Sequence, residues 1–394
     1  MMRIMLRRVV WIGCVILLSG CAGRLPAPLY PPGDVAAGAF AALVNNSEYP
    51  AAPDIDVLEI PAAATVLVGT TLNGNRGLRQ RLDAIAALFA PEGALGLRYN
   101  TQATSTAAET FEQRAGNCLA YTHLFIAMAR AAGLDARYRE VLGVPQWETE
   151  GGYVMLNHHI AAYGELRREG TYVVDFGQVY TSERHFGRVV SDDRARAQHF
   201  NNLGARDLVA GDVAAAIALF NRGLTIDAHI GYLWTNLGTA YLRIGDDRRA
   251  EIALHEALRL MEWDVTTINQ LTRLYVAMGR PELAATYRAR SESALRQNPY
   301  LQFTWGIEAR DEGHLDAAIG YLRHAARTQP NELYFWLELA KTYALSGRVR
   351  DALRTIRRAD TLVTTAEERQ AMNDVVADLM RRAGGDPPPD DQLQ

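Results

Sequence analysis

The feature that most constrains this chain is a glycine that returns every 34 residues through its second half. The glycines are Gly211, Gly245, Gly279, Gly313 and Gly347, and an alanine follows each of them five residues later. Glycine takes the left-handed conformation that ends a helix at little steric cost. A unit of this length cannot bury its apolar face alone, so stacked copies share one core. The pattern predicts five helix–turn–helix units over residues 197–366 and a capping helix over 367–383.

The period and the large apolar residues of each first helix, such as Trp234, Leu237 and Tyr241, resemble the tetratricopeptide repeat. The resemblance implies an all-α solenoid whose first helices line a concave groove for a protein or peptide. Several groove positions are basic, which favours an acidic or carboxylate-bearing partner. The predicted groove residues are Tyr232, Thr235, Arg243, Asn269, Arg273, Phe303, Arg310 and Lys341.

The N-terminus has the pattern of an export signal. Three arginines within the first eight residues precede an apolar stretch from Val9 to Leu18. At about 1.5 Å per residue, this stretch is too short to cross a hydrocarbon layer of about 30 Å. Residues 1–20 are therefore predicted to be a signal peptide.

The sequence Leu-Ser-Gly-Cys that ends at Cys21 resembles the bacterial lipobox, in which the cysteine is acylated and becomes the mature N-terminus. The resemblance implies a lipidated linker over residues 21–50, and Ala22 favours the outer membrane on its periplasmic side. Stable anchoring needs more than one acyl chain, and such lipoproteins carry several. At the other end, residues 384–394 include three consecutive prolines and are predicted to be a disordered tail.

Under this interpretation one cysteine stays a free thiol. Cys14 leaves with the signal and Cys21 carries lipid, so Cys118 remains. The sequence Gly116-Asn117 precedes it, and a run without helix breakers follows from Leu119 to Ala132. Cys118 is therefore predicted to open a buried helix. The N-terminus of a helix favours the thiolate, and its free N–H groups can stabilise an oxyanion.

Three segments after this helix alternate between apolar and polar residues and predict strands: 134–141, 153–163 and 171–176. A polar hairpin loop at 165–170 joins the last two. His158 and His159 lie in the second strand, and Asp175 ends the third. Adjacent side chains of a strand point to opposite faces, so only one of the two histidines can face Cys118.

This order of cysteine, histidine and aspartate resembles the transglutaminase-like superfamily, a branch of the papain-like cysteine enzymes. The resemblance covers about residues 76–190 and is strongest at Gly116-Asn117-Cys118, at 129–138 and in the hairpin from histidine to aspartate. It implies an α+β papain-like domain, predicted over residues 51–195, before the repeat solenoid. Members place the histidine about sixteen residues before the aspartate, which selects His159.

The resemblance implies a catalytic triad of Cys118, His159 and Asp175. Cys118 would attack an amide or ester carbonyl, His159 would take and return the proton, and Asp175 would orient the imidazole. The N–H of Cys118 is a candidate oxyanion donor, and the side chains of Gln113 and Asn117 are further candidates. Tyr121 is predicted to line the cleft.

One position departs from the family pattern. Members often carry an aromatic residue two positions after the histidine, where this chain has Ala161. The substitution implies different packing on the substrate side.

Composition excludes several other classes. Lys and Arg number 41 against 45 Asp and Glu, for a net charge of −4, which argues against nucleic acid as a partner. Three cysteines exclude a disulfide framework and a multi-cysteine zinc site. His123 and His185 are isolated in the sequence, and the chain lacks a glycine-rich phosphate loop. No metal and no cofactor are predicted.

The sequence therefore predicts an outer-membrane lipoprotein facing the periplasm, with a thiol hydrolase or peptidase domain and an array that recruits its substrate or a partner. Two alternatives stay open. The same triad could transfer the acyl group of a protein glutamine to an amine instead of water. The chain could also be a non-catalytic binding scaffold with a degenerate papain-like domain.

Overall fold

The structure is a computed structural model. It describes residues 43–44, 48–49, 51–74, 77–90, 92–141, 146–150, 153–157, 159–166, 170–175, 178–180, 187–363 and 366–382. The predicted signal peptide (1–20), the lipidation site Cys21, the tail (384–394) and His158 lie outside the described residues. Across the described ranges, no helix is long and apolar enough to cross a membrane.

The described residues of the first domain form four helices and nine strands. Its helices are α1 (Ala62–Leu72), α2 (Leu78–Phe89), α3 (Ala107–Gln113) and α4 (Cys118–Ala131). Its strands are β1 (Arg98–Tyr99), β2 (Ala115–Gly116), β3 (Arg137–Val141), β4 (Gln146–Glu150), β5 (Tyr153–Asn157), β6 (Ile160–Leu166), β7 (Gly170–Asp175), β8 (Gln178–Tyr180) and β9 (Gly187–Val190). The α+β fold predicted from the sequence is confirmed.

An antiparallel sheet with the strand order β8-β7-β6-β3-β9 organises this domain. Tyr138, Ala162 and Val174 are register partners on three adjacent strands and belong to the same apolar core as α4. Every residue from Leu119 to Ala129 is buried. A helix that is apolar on all sides belongs in the interior, so α4 is the central element of the domain.

The strand predicted over 153–163 is wrong in one respect, because the structure divides it. Strand β5 ends at Asn157 and pairs with β4, whereas β6 begins at Ile160 and pairs with β3. His159 lies in the break between them. The alternation of a continuous strand therefore does not govern which way this histidine faces.

The second half is an array of helix pairs. The helices are α5 (Asp192–Ala210), α6 (Val213–Ile226), α7 (Gly231–Ile244), α8 (Asp247–Leu260), α9 (Val265–Ala277), α10 (Pro281–Gln297), α11 (Pro299–Asp311), α12 (Leu315–Thr328), α13 (Leu333–Leu345), α14 (Val349–Asp360) and α15 (Ala366–Arg382). All five predicted turn glycines have positive φ, between 68° and 96°. The five alanines that follow them are at most 2% exposed. The five helix pairs and the final helix are confirmed.

The predicted boundary between the domains at residues 195–197 falls inside a helix. Helix α5 begins at Asp192, and the Ser191 side chain caps it by accepting from the N–H of Arg194. Asp192 also forms a two-pronged ion pair with Arg130 of α4, with N–O distances of 2.6 and 2.9 Å. The cap and the ion pair join the first repeat directly to the domain before it.

A carboxylate of the sheet forms the second connection between the domains. Glu140 of β3 accepts from Arg194 at 2.6 Å and from Gln198 at 2.6 Å, both on α5, and from Arg188 of β9 at 2.8 Å. Burial disfavours the charged form of Glu140, but Arg194 and Arg188 more than offset it and lower the pKa of the carboxyl group. The array is therefore docked on the sheet through a paired, largely buried charge.

The predicted linker over 21–50 differs from the structure in its last part. Leu43 and Val44 are 1% and 7% exposed and lie in the apolar core of the array. Tyr49 packs edge to face on Tyr241, with ring centroids 6.5 Å apart, and Glu48 pairs with Arg249 at 2.8 Å. These residues therefore pack on the second repeat. The abundance of Pro and Ala in the predicted linker gave no indication of this contact.

Candidate active site

Cys118 is the first residue of α4, and the backbone around it is fixed from both sides. The N–H of Asn117 donates to the carbonyl of Ala103 at 2.9 Å. The Asn117 side-chain oxygen caps the helix by accepting from the N–H of Ala120 at 3.0 Å. A Cβ at Gly116 would lie 2.7 Å from the Ala120 Cβ, so only glycine fits. These contacts set where the helix begins and leave the Cys118 thiol partly exposed.

His159 and Asp175 come together at the end of the sheet. The N–H of Val141 donates to the carbonyl of His159 at 2.9 Å and holds the histidine backbone against β3. Asp175 is the last residue of β7. Its Oδ2 lies 2.7 Å from Nε2 of His159. The Asp175 side chain is 12% exposed and that of His159 is 33% exposed, so the carboxylate is screened from solvent while the ring reaches the surface.

The same imidazole also contacts Cys118. Burial by itself disfavours the charged imidazolium of His159, but hydrogen bonds to Asp175 and Cys118 and the negative charges of both groups raise its pKa to about 10. Because Nε2 faces Asp175, Nδ1 is the ring nitrogen left for the sulfur. The structure therefore brings together the three residues that the sequence analysis selected, in the order thiol, imidazole, carboxylate.

Thr122 joins α4, which carries the thiol, to β6, which begins directly after His159, and the sequence analysis missed it. Its hydroxyl lies 2.8 Å from the carbonyl oxygen of Cys118 and 3.3 Å from that of Ile160, the first residue of β6. The bond to a carbonyl four residues back is common for a helical threonine. The contact to β6 is not local, so the sequence signal was only the four-residue spacing from Cys118.

The three predicted oxyanion donors have different surroundings in the structure. The Asn117 side chain has another role, because its oxygen caps α4 and its nitrogen donates to Thr104 Oγ1 at 2.7 Å. Gln113 is exposed at the end of α3, and its role stays a prediction. The N–H of Cys118 is the first amide of α4, and such amides have no acceptor within the helix. It is the donor that the local geometry favours.

The predicted groove residues of the array are largely engaged within the chain. Arg310 pairs with Glu338, and Lys341 lies 3.1 Å from the same carboxylate, which is 2% exposed. Glu338 was missed by the sequence analysis, which counted the two cations without their neighbour. Because both cations already pair with a carboxylate of the chain, their positive charge does not by itself indicate an acidic partner.

Most of the other predicted groove residues also form hydrogen bonds within the chain. Arg243 donates to the carbonyl of Leu208, and Asn269 accepts from Ser291 at 2.8 Å. Tyr232 hydrogen-bonds to Gln198 beside the domain junction, and burial raises the pKa of its hydroxyl. Arg273 is exposed.

Metal-ligand clusters are absent from the described ranges, where no group of three or more His, Cys, Asp or Glu side chains could hold an ion. His123, which the sequence analysis treated as isolated, is fully buried with Nδ1 at 2.6 Å from the Tyr138 hydroxyl.

A family comparison addresses the first domain. The model of the transglutaminase-like superfamily matches residues 68–180. The chain carries a transglutaminase-like domain. This match contains α4, β6 and β7, and so includes Cys118, His159 and Asp175. A comparison with curated proteins finds no match.

Solved structures similar to the chain cover its helical half. YrrB, a TPR protein with an unusual peptide-binding site, is 19% identical, covering 45% of this chain and 91% of YrrB, with a TM-score of 0.24. The type IV pilus biogenesis factor PilW is 19% identical, covering 48% of this chain and 87% of PilW, with a TM-score of 0.24. Pseudomonas aeruginosa pilF is 15% identical, covering 48% of this chain and 87% of that chain, with a TM-score of 0.25. At these scores the likenesses carry no functional weight, and the repeat assignment depends on the 34-residue period and the helix pairs.

Proposed function

We propose that this protein is a cysteine hydrolase that cleaves an amide bond through Cys118, His159 and Asp175. The observation that supports the proposal is the position of the His159 imidazole, which contacts the carboxylate of Asp175 on one side and the thiol of Cys118 on the other. A thiol at a helix N-terminus next to an imidazolium is the environment that activates a cysteine nucleophile. The transglutaminase-like family match agrees with this chemistry.

The reaction begins from the thiolate of Cys118 and the imidazolium of His159. The sulfur attacks the carbonyl carbon, and the N–H of Cys118 binds the oxyanion. When the tetrahedral intermediate collapses, the carbon–nitrogen bond breaks and the His159 proton passes to the leaving amine. Water then attacks the thioester and gives a proton back to His159 while the carbon–sulfur bond breaks. Asp175 keeps the ring oriented and stabilises its positive charge throughout.

The proposed location is the periplasmic face of the outer membrane, with the lipid on Cys21. The Leu-Ser-Gly-Cys sequence after the apolar stretch supports this part of the proposal. The bound residues 43–44 and 48–49 would fix the array close to the anchor, because Leu43 follows Cys21 by 22 positions, which reach at most about 80 Å. Mass spectrometry of the mature N-terminal peptide tests it, since an acylated Cys21 is expected and an unmodified residue would refute the anchor.

The proposed role of the array is to bind a protein or peptide that is the substrate or a partner of the hydrolase. Stacked helix pairs provide an extended surface of the kind that such repeats use for binding. Because Arg310 pairs with both Glu338 and Asp311, and Lys341 with Glu338, we do not extend the proposal to an acidic partner.

The enzymatic part is tested by the reactivity of Cys118 towards iodoacetamide at pH 6 in the full-length protein, followed by peptide mapping. Alkylation is expected to be at least about tenfold faster than for a free cysteine peptide, whose pKa of about 8.5 leaves little thiolate at this pH. His159→Ala should remove the difference. His229→Ala is the matched control, because the His229 side chain is 84% exposed and on the array.

Two results would contradict the proposal. If Cys118 reacts no faster than the free cysteine peptide and His159→Ala changes nothing, the domain is a non-catalytic scaffold. The second result comes from incubating the protein with a peptide substrate, with and without methylamine. If products form only in the presence of methylamine and contain it, the acceptor is an amine and the protein is an acyl transferase.

A further inference from the structure

The cavity beside the segment that leads into Cys118 has a polar, positively charged lining. Its volume is about 470 Å³, and its walls come from Arg98, Tyr99, Asn100, Thr101 and Ala115. These residues belong to or follow the short parallel pair of β1 and β2. The chemistry of the proposed triad uses none of them.

The cavity and the nucleophile share one stretch of backbone. Ala115 lies three residues before Cys118, so their Cα atoms are at most about 11 Å apart. The N–H of Asn100 donates to the carbonyl of Gly116 at 3.0 Å, which keeps the far wall against this stretch. About three residues of an extended peptide span that distance, so a substrate whose carbonyl reaches the sulfur is long enough to reach the cavity as well.

Two tyrosines connect the cavity to the first turn of α4. Tyr121, three residues after Cys118, packs edge to face against Tyr99, with ring centroids 6.4 Å apart. Tyr121 is 7% exposed, whereas Tyr99 is 52% exposed and forms a wall of the cavity. The wall is therefore supported by the helix that carries the thiol.

The lining offers hydrogen-bond donors and one positive charge. The Asn100 side-chain oxygen already accepts from the N–H of Gln102 at 3.0 Å, so its amide nitrogen is the group left for a ligand. Arg98 is exposed, and no carboxylate pairs with its guanidinium within the described part of the chain. The walls contain no acidic side chain. Such a set of donors matches a carboxylate, which a guanidinium binds with two parallel hydrogen bonds.

We propose that this cavity is a substrate subsite that selects an acidic side chain next to the scissile amide, with Arg98 as its specificity-determining residue. The inference rests on the proposed function and adds the class of substrate. Asn100 and Thr101 bind the same carboxylate, and Tyr99 packs against its carbon chain. The substrate class is then a peptide with glutamate or aspartate adjacent to the cleaved bond.

The test uses two thiol-directed probes on the full-length protein, acetyl-Ala-Glu and acetyl-Ala-Gln chloromethyl ketones, with labelling of Cys118 followed by peptide mapping. Glutamate and glutamine have the same shape, so the ratio of the two labelling rates isolates the charge. The wild-type ratio is expected to favour the glutamate probe about five- to tenfold at low salt and to fall with added salt. Arg98→Ala should bring the ratio to about one.

Arg79→Ala is the matched control, because Arg79 is an exposed arginine of the same domain that lies outside the cavity and pairs with Asp83. It should keep the wild-type ratio, and Arg98→Lys should keep part of it. A wild-type ratio near one, or a preference that survives Arg98→Ala, would overturn the subsite while rapid labelling by both probes upheld the nucleophile. Labelling by neither probe above the rate for free cysteine would overturn the proposed function and the subsite with it.

Discussion

His159 is hydrogen-bonded to Asp175 through Nε2, 2.7 Å from Oδ2, and the same imidazole is hydrogen-bonded to Cys118. The carboxylate comes from the end of β7 and the imidazole from the break before β6, and neither residue is near the other in sequence. The β6–β7 register, in which Ala162 pairs with Val174, sets their spacing. The sheet therefore positions the imidazole, and α4 brings the thiol to it.

Replacing Asp175 with asparagine should weaken the nucleophile without removing the side chain. The amide keeps the shape but has no negative charge to favour the imidazolium of His159. Alkylation of Cys118 at pH 6 is expected to fall about tenfold or more. The control is Asp193→Asn, a carboxylate that is 69% exposed on α5. An unchanged rate in Asp175→Asn would show that the carboxylate does not act on the pair.

The raised pKa of His159 predicts how its contacts with Asp175 and Cys118 affect folding stability. A histidine whose pKa is higher in the folded state than its unfolded value of about 6.5 stabilises the fold fully below pH 6.5. That contribution disappears as the pH rises towards 10. Urea unfolding of the wild type and of His159→Gln should therefore converge at alkaline pH. A difference in unfolding free energy between the two proteins that grows with pH would contradict the prediction.

Thr122 should act as a positioning residue. Thr122→Val keeps the volume and removes the hydroxyl that contacts Cys118 and Ile160. We expect unfolding free energy to change by about 1 kcal/mol, but Cys118 alkylation at pH 6 to fall several-fold, with rescue by Thr122→Ser. Thr225→Val is the control. Among the described contacts, the Thr225 hydroxyl donates only to the carbonyl of Asn221, four residues earlier on the same helix. Equal reactivity in Thr122→Val and wild type would exclude a role at the site.

Two buried histidines at the domain junction should make the protein sensitive to acid. His123 of α4 and His199 of α5 are 0% and 1% exposed, with ring centroids 5.5 Å apart. Burial lowers the pKa of both, that of His199 to about 4, and each ring keeps one buried nitrogen without a hydrogen-bond partner in the described structure. Tyr138 contacts His123, and the charges of Glu109 and Arg206 act on His199.

Because these pKa values are depressed, the neutral rings stabilise the fold above pH 6.5, and this contribution is lost as the pH falls towards 4. The loss for His199 is expected to be at most about 1.4 kcal/mol per pH unit. Urea unfolding at pH 5 and 7 measures it. His199→Gln should flatten the dependence and the exposed His229→Gln should not. Identical slopes in all three proteins would contradict the prediction.

The sequence was sufficient for features that depend on local or periodic patterns. The turn glycines and the helix that begins at Cys118 follow from backbone conformation and uninterrupted apolar residues, and the family's spacing to Asp175 selected His159 over His158. Features made by long-range packing were not predictable in this way. The break in the strand at His159, the threonine bridge from Thr122 to Ile160 and the pairing of Arg310 with Glu338 all join distant segments, and no local pattern records them.

The most direct test of the account is an NMR titration of the His159 imidazole in the full-length protein. The ring is expected to stay protonated above pH 8, with its pKa near 10, and Cys118→Ala and Asp175→Asn should each lower that pKa. A wild-type His159 that titrates near 6.5 and is unaffected by either substitution would contradict the claim that thiol, imidazole and carboxylate act as one unit.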